Sequence, residues 1–144
     1  MAGVAVLDAS VLIAFFEEGD PFHPESVLAV TSAIRRGDRL LANELTVAEF
    51  LVGAVRSGIL DDAEARIAEL GVERQEFPPR FAPRLAQIRH DARIKLPDAA
   101  VLLTAIEATE HGTVTVSLAT FDERLRAAGH AYGVSPAPGT VTSE

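Results

Sequence analysis

The sequence predicts an α/β protein with a mostly parallel sheet covered by helices on both faces. Short β-rich runs alternate with helical segments along the whole chain, which is the pattern of such sheets. The first run, Val4 to Leu7, is continuously apolar, as a buried strand is. The chain has 144 residues, enough for one domain, and 48% are hydrophobic against 24% charged. A single packed core is therefore expected.

The elements follow in order. The Val4–Leu7 strand ends at Asp8, and a short helical turn covers Val11 to Phe16. Gly19 to Pro24 break it, and Glu25 to Arg36 has the spacing of an amphipathic helix stopped by Gly37. Arg39 to Ala42 is a second strand. Leu45 to Ser57 is a strongly apolar helix that Gly58 ends, and Asp61 to Leu70 is a more charged one closed by Gly71. Val72 to Phe77 is a third strand, ended by Pro78-Pro79. Phe81 to His90 is helical. Pro97 stands where a helix starts, and Asp98 to His111 is a long helix closed by Gly112. Thr113 to Leu118 is a fourth strand, Asp122 to Ala128 a short helix closed by Gly129, and Ala131 to Val134 a last edge strand. Ser135 to Glu144, rich in Pro, Gly, Ser and Thr, reads as a loose tail behind a domain of residues 1–134.

Composition removes several classes of function. There is no cysteine, which excludes disulfides, zinc fingers, thiol nucleophiles and Fe–S ligation. Met1 to Asp8 has no basic segment and its apolar run stops at a carboxylate, unlike a signal peptide. No apolar stretch reaches the ~18 residues of a membrane span, so a cytoplasmic protein with no membrane partner is expected. Thirteen basic and 21 acidic residues give a net charge of −8. That argues against a passive nucleic-acid coat protein. It does not exclude a nuclease whose carboxylates hold divalent cations, because bound metal reverses the local field. There is no Gly-rich phosphate loop, nucleophile elbow or Asp-x-Asp motif. His23, His90, His111 and His130 lack metal-ligand spacing and read as surface or turn residues.

Four acids stand in apolar settings. Asp8 ends the first strand, Glu49 is the only charge in Thr46–Val55, Asp98 precedes an apolar helix, and Asp122 follows the fourth strand. Each has an ordinary structural explanation. Asp8 and Asp122 suit helix N-caps, and Asp98 suits the first turn of a helix. Glu49 suits a salt bridge to an Arg or a narrow exposed stripe. A helix apolar nearly all round is buried, though, and a carboxylate in its middle must be paired, protonated or on a metal. In a parallel sheet functional residues gather at the carboxyl ends of the strands, where three of these acids fall. Four carboxylates meeting there cannot all stay ionised without cations, and an all-oxygen site selects Mg²⁺ or Mn²⁺. Such a site suits phosphoryl transfer.

With those residues in view, the sequence resembles a PIN-domain nuclease, in particular the VapC toxins of bacterial toxin–antitoxin pairs. The resemblance rests on Val6-Leu7-Asp8-Ala9-Ser10-Val11-Leu12, Ala48-Glu49-Phe50-Leu51-Val52-Gly53-Ala54, Leu96-Pro97-Asp98-Ala99-Ala100 and Ser117-Leu118-Ala119-Thr120-Phe121-Asp122-Glu123-Arg124-Leu125. It implies a three-layer α/β/α sandwich and a Mg²⁺- or Mn²⁺-dependent endoribonuclease. By position, Asp8, Glu49, Asp98 and Asp122 form its catalytic and metal-holding quartet, with Glu123 beside Asp122 as an alternative there. Ser10 and Thr120 match hydroxyls that support the aspartates. The resemblance also implies a homodimer and a small VapB-like antitoxin that covers the active site.

RNA must still be held against an acidic body. Arg74, Arg80, Arg84, Arg89, Arg93 and Lys95 put six bases into 22 residues, opposed by Glu76 and Asp91. Arg80, Arg84, Arg89 and Arg93 are the candidate RNA contacts. On one continuous helix the Arg80/Arg84 and Arg89/Arg93 pairs lie on nearly opposite sides, so they form no single stripe. Their other reading is a solvated face paired with neighbouring acids. Arg35, Arg36 and Arg39 are a second, weaker candidate, and the phenylalanines and Tyr132 read as core. Two other functions compete with the ribonuclease. One is a catalytically silent PIN-like module that acts by docking a protein partner. The other is a DNA-directed 5′-nuclease, whose helical arch this length does not accommodate.

Overall fold

Val4 and Val6 bury themselves in one apolar cluster, and Ala5 and Leu7 in another. Side chains alternate along a strand, so this one is covered on both faces and needs two helical layers. The computed structural model describes residues 3–112 and 114–140. Among them the order is β1 (Val4–Leu7), α1 (Ala9–Phe16), α2 (His23–Arg35), β2 (Arg39–Asn43), α3 (Glu44–Ser57), α4 (Leu60–Leu70), β3 (Val72–Gln75), α5 (Phe81–Ala92), α6 (Leu96–Glu110), β4 (Val116–Ala119), α7 (Glu123–Ala131) and β5 (Ser135–Pro136). The strands form one sheet in the order β3-β2-β1-β4-β5, with every pair parallel. Val11, Leu12, Val30, Val47 and Ile67 from α1 to α4 join Ala5 and Leu7 on one face. Ile88, Val101, Leu102, Leu103 and Leu125 from α5 to α7 join Val4 and Val6 on the other. The result is the three-layer α/β/α sandwich.

The strand order places the site. From β1 the chain builds outward through β2 and β3, then returns to add β4 on the other side of β1. The carboxyl ends of β1 and β4 are thus a topological switch point, where a crevice opens outside an open parallel sheet.

Local chemistry sets most element ends. Asp8, Asn43 and Asp122 cap α1, α3 and α7 through their side chains. Gly58 and Gly71 end α3 and α4 at φ of 70° and 83°, the left-handed region where a Cβ is disfavoured. Asn43 does more than cap. It accepts from Thr46 N at 2.7 Å and donates to Thr104 Oγ1 at 3.1 Å, so it ties α3 to α6 inside the core.

Several expectations need correction. The break at Gly19 to Pro24 ends earlier, because Pro24 lies in the first turn of α2, where its missing N–H costs nothing. The third strand stops at Gln75 rather than Phe77. The fourth begins at Val116, and its expected start at Thr113 lies outside the described residues. Gly129 does not close α7 but is buried within it. A Cβ there would lie 3.0 Å from Leu118 Cδ2, so the missing side chain lets α7 sit close on β4. The last strand is Ser135–Pro136 rather than Ala131–Val134.

The loose tail is corrected too, for residues 135–140. Ser135 and Pro136 pair with β4 and cover its free edge. Ala137 N donates to Leu118 O at 2.8 Å, and Ala137 and Thr140 are buried. Arg126 Nη2 bridges the carbonyls of Thr120, at 3.1 Å, and Thr140. Residues 141–144 lie outside the described ones.

Finally, α3 is not buried all round. It buries Thr46, Val47 and Ala54 and leaves Leu45, Val52 and Val55 exposed.

Candidate active site

Asp8 follows β1 directly and is only 8% exposed. Its Oδ1 accepts the Ala9 N–H at 2.8 Å, which is the capping bond. Its Oδ2 accepts from the Ser10 hydroxyl at 3.0 Å and from the Thr120 hydroxyl at 2.8 Å. The cap is therefore real, and it occupies one oxygen while two hydroxyls aim the other. Burial pushes the Asp8 carboxyl above its ordinary range. The bonds from Thr120, Ser10 and Ala9 oppose this, and the charge of Asp122 adds to it.

Asp122 lies one strand away, after β4. Its Oδ1 caps α7 by accepting from Arg124 N at 2.8 Å and Leu125 N at 3.1 Å. Its own N–H donates to Thr120 Oγ1 at 3.0 Å, so one hydroxyl positions two acids. Asp122, not Glu123, is the acid whose charge acts on Asp8 and Asp98. Asp98 stands in the first turn of α6, half-buried. Its pKa is pushed up to about 6, chiefly by burial and then by the charges of Asp8 and Asp122, with Lys95 opposing.

Glu49 corrects an expectation. It is exposed rather than enclosed, because α3 buries the face that carries Thr46, Val47 and Ala54 and Glu49 lies off that face. It makes no ion pair to any Arg among the described residues. Partial burial raises its pKa first, and then the charges of Asp8 and Asp98. The fold thus brings Asp8, Glu49, Asp98 and Asp122 within reach of one another's fields, with Ser10 and Thr120 bound to the innermost.

A divalent cation fits this donor set. Burial, and after it the charges of Asp8 and Asp122, disfavour the Asp98 anion, and a bound cation offsets both. Every donor is oxygen, as hard ions require. Among the described residues, the trio of ligand groups drawn within 4.8 Å of one another is instead Glu107, Glu110 and His111. Arg84 forms ion pairs with both of those glutamates, so a guanidinium already supplies the positive charge there.

The candidate RNA contacts divide. Arg89 and Arg93 line a cleft of about 670 Å³ together with Lys95, Arg124, Asp98 and Asp122. Arg84 does not reach it, because its side of α5 faces the end of α6 and its charge is spent on Glu107 and Glu110. Arg80 precedes α5 in a left-handed conformation and lies outside the cleft. Arg74 is bound to Glu44 and Glu64, Arg36 to Asp38, and Arg39 to Glu73. The second basic candidate is thereby largely neutralised. Arg124 is the cleft residue that sequence reasoning missed. The available signal was its place in the first turn of α7, two residues after Asp122.

Thr120 offers a test of this geometry that needs no substrate. Thr120→Val removes a donor from a buried carboxylate. It is expected to raise the Asp8 pKa further and to cost about 1.5–3 kcal/mol of stability once that group ionises. Carboxyl NMR titration and thermal melts check both.

The model of the family described as "PIN domain" matches residues 5–131. No curated protein sequence matches the chain. Among solved structures it is similar to one described as a toxin–antitoxin complex from Klebsiella pneumoniae, at 24% identity and a TM-score of 0.63, covering 82% of this chain and 86% of that one. It is also similar to VapC20 of Mycobacterium tuberculosis, a toxin described as cleaving the sarcin–ricin loop, at 18% identity and a TM-score of 0.68, covering 87% and 95%. A third likeness is to PAE2754 of Pyrobaculum aerophilum, at 20% identity and a TM-score of 0.53, covering 89% and 81%. At these identities the likenesses show a shared fold. The family match spans β1 to α7 and takes in all four acids and both hydroxyls, and on that ground the chain belongs to the PIN domain family.

Proposed function

We propose that this chain is a Mg²⁺- or Mn²⁺-dependent endoribonuclease and the toxin component of a toxin–antitoxin pair. The observation that carries the reading is the meeting of Asp8, Glu49, Asp98 and Asp122 beside a cleft lined by Arg89, Arg93, Lys95 and Arg124. Acids that need a cation stand next to cations that need an anion, and a phosphodiester strand with its divalent ion supplies both.

Asp8, Asp98 and Asp122 would hold the ion, with Glu49 at the rim, through a water or on a second ion. When bound, such an ion activates water and neutralises charge on a phosphate undergoing in-line displacement. The residues of the chain do the rest. Ser10 and Thr120 hold the Asp8 carboxylate in one orientation before any ion binds, which spares reorganisation. Among the described residues Arg89, Arg93, Lys95 and Arg124 make no ion pair. They are available to bind flanking phosphates and offset the repulsion from a body of charge −8. Cleavage leaves a 5′-phosphate and a 3′-hydroxyl.

The likeness to VapC20 and to a chain from a toxin–antitoxin complex supports RNA as substrate and a small VapB-like antitoxin as partner. A protein partner, antitoxin or second copy in a homodimer, is also supported by exposed Leu45, Val52 and Val55 on α3, Ile59 in the turn after it and Leu60 at the start of α4. The reading places the protein in the cytoplasm, where its RNA is. Among the described residues no helix is long and apolar enough to cross a membrane.

The test is incubation of the purified protein with structured total RNA and Mn²⁺, with an EDTA control. Discrete fragments that appear only with metal are expected. Intact RNA together with no Mn²⁺ shift in melting temperature would instead favour the module that works only by docking a partner. Arg93→Gln and Arg124→Gln are each expected to weaken RNA binding and to flatten the log–log salt dependence by about 0.7. Arg84→Gln, outside the cleft, is expected to leave that slope unchanged.

A further inference from the structure

We infer that Phe22 and Phe121 form a stacking platform for one unpaired nucleobase next to the acids. The inference rests on the ribonuclease reading and adds a feature of the RNA that the site selects. Phe121 stands between Thr120, which holds Asp8, and Asp122, and its N–H donates to the Ser10 hydroxyl at 3.5 Å. Its ring packs on the core. The ring of Phe22 lies flat upon it, with centroids 4.7 Å apart and planes 13° apart.

Phe22 is the exception among the seven phenylalanines. The other six are half-buried and pack on the core, including the stacked pair Phe77 and Phe81. Phe22 is 44% exposed. The expectation that every Phe is core fails here. The exposed ring is also held in place. The Phe22 N–H donates to Asp20 Oδ1 at 2.8 Å, and its carbonyl accepts from Ser26 N at 2.9 Å. The following His23 ring is bound to Ala14 O at 2.7 Å.

A fixed, flat, apolar face stacked on the residue that precedes Asp122 has the chemistry that single-stranded nucleic acids use. Every base has a π-face, so stacking on a phenyl tolerates any sequence but requires the base to be out of a helix. The two sides of the site are also different. The cleft cations come from α5 to α7 and the segment joining α5 to α6, whereas Phe22 comes from the segment between α1 and α2. Phe121 directly precedes Asp122 and carries the Phe22 ring, so on the inferred path a strand with its phosphates among the cations crosses the acids and sets a neighbouring base over Phe22. The substrate class is RNA with an unpaired nucleotide beside the cleaved bond, as in a loop or bulge.

The chain has no tryptophan, so Phe22→Trp installs a single fluorophore at the platform. The probes are a short oligoadenylate and an abasic ribose-phosphate oligomer of equal length, each with Ca²⁺ in place of Mn²⁺. Oligoadenylate is expected to quench the tryptophan, and the abasic oligomer to bind about tenfold more weakly without quenching. In cleavage assays with Mn²⁺, Phe22→Ala and Phe22→Leu are expected to raise KM for single-stranded RNA about tenfold, with the loss falling on KM rather than kcat. Phe22→Leu keeps the apolar bulk but not the flat face, so its unchanged melting temperature separates stacking from packing. Equal, salt-dependent binding of both oligomers without quenching would overturn the platform and leave the ribonuclease reading standing. Failure of both oligomers to bind would overturn the ribonuclease reading, and the platform with it.

Discussion

Asp8→Asn is expected to lower metal-dependent RNA cleavage by at least about 100-fold, beyond the ten- to hundredfold loss typical of removing a group that merely supports a metal ligand. Three features make this the largest single effect. Asp8 is the most buried of the four acids, it receives three hydrogen bonds, and its charge acts on both Glu49 and Asp98. Asn keeps the shape and can still accept from Ala9, so the fold is expected to persist. The protein without metal is expected to melt no lower than wild type above the carboxyl's pKa, because a buried like-charge interaction is gone. The measurement is cleavage rate and melting temperature with Mn²⁺ or EDTA for both proteins. A variant that cleaves at more than a tenth of the wild-type rate would remove Asp8 from the catalytic group. Loss of both activity and the Mn²⁺ shift, with the fold intact, would place Asp8 on the ion.

The second large effect is a pH dependence that metal reverses. Asp98 titrates at about 6 in the folded chain against 3.8 when unperturbed. Its folded pKa is raised, so the folded state binds the proton more tightly than the unfolded one. The stability this provides is full below about pH 4 and is lost as pH rises through about 6. Asp8 and Glu49 are shifted the same way and act in the same direction. Asp98 is half-exposed, so solvent screening reduces its contribution to roughly 1–2 kcal/mol. For a chain of this size that is about 3–6 °C in melting temperature. In EDTA the wild type is expected to fall below Asp98→Asn by this amount between pH 4 and pH 7. With Mn²⁺ at neutral pH the wild type is expected to recover and the variant not to respond. A difference between the two proteins that stays flat across this range would mean that neither burial nor the other acids shift Asp98.

Much of this was legible in local sequence. The acids stand at strand ends or in first turns because Asp caps helices well, and the same positions are where a parallel sheet opens its crevice. The structural and chemical explanations of Asp8 and Asp122 are therefore not exclusive, since a capping bond uses only part of a carboxylate's acceptor capacity. Glu49 was harder to read. A run such as Phe50-Leu51-Val52 looks buried, but composition does not show which neighbours are absent, and α3 leaves Val52 and Val55 uncovered. Gly129 and the segment after Ser135 were misread for a related reason. A glycine required for close approach looks like one that ends a helix, and a two-residue strand has no period to detect.

By itself, then, the sequence determined the alternating elements, the continuously apolar first strand, the capping positions of Asp8 and Asp122, and the presence of four acids in apolar settings. Those properties depend on residues within one or two turns of each other. Tertiary structure alone decided which cations share the crevice with the acids, that Arg84 is spent on Glu107 and Glu110 while Arg124 lines the cleft, and that Phe22 lies flat on Phe121. The reason is that an ion pair or a ring stack depends on separations of a few ångströms between residues far apart in the chain. Only the packing of helices on the sheet sets those separations.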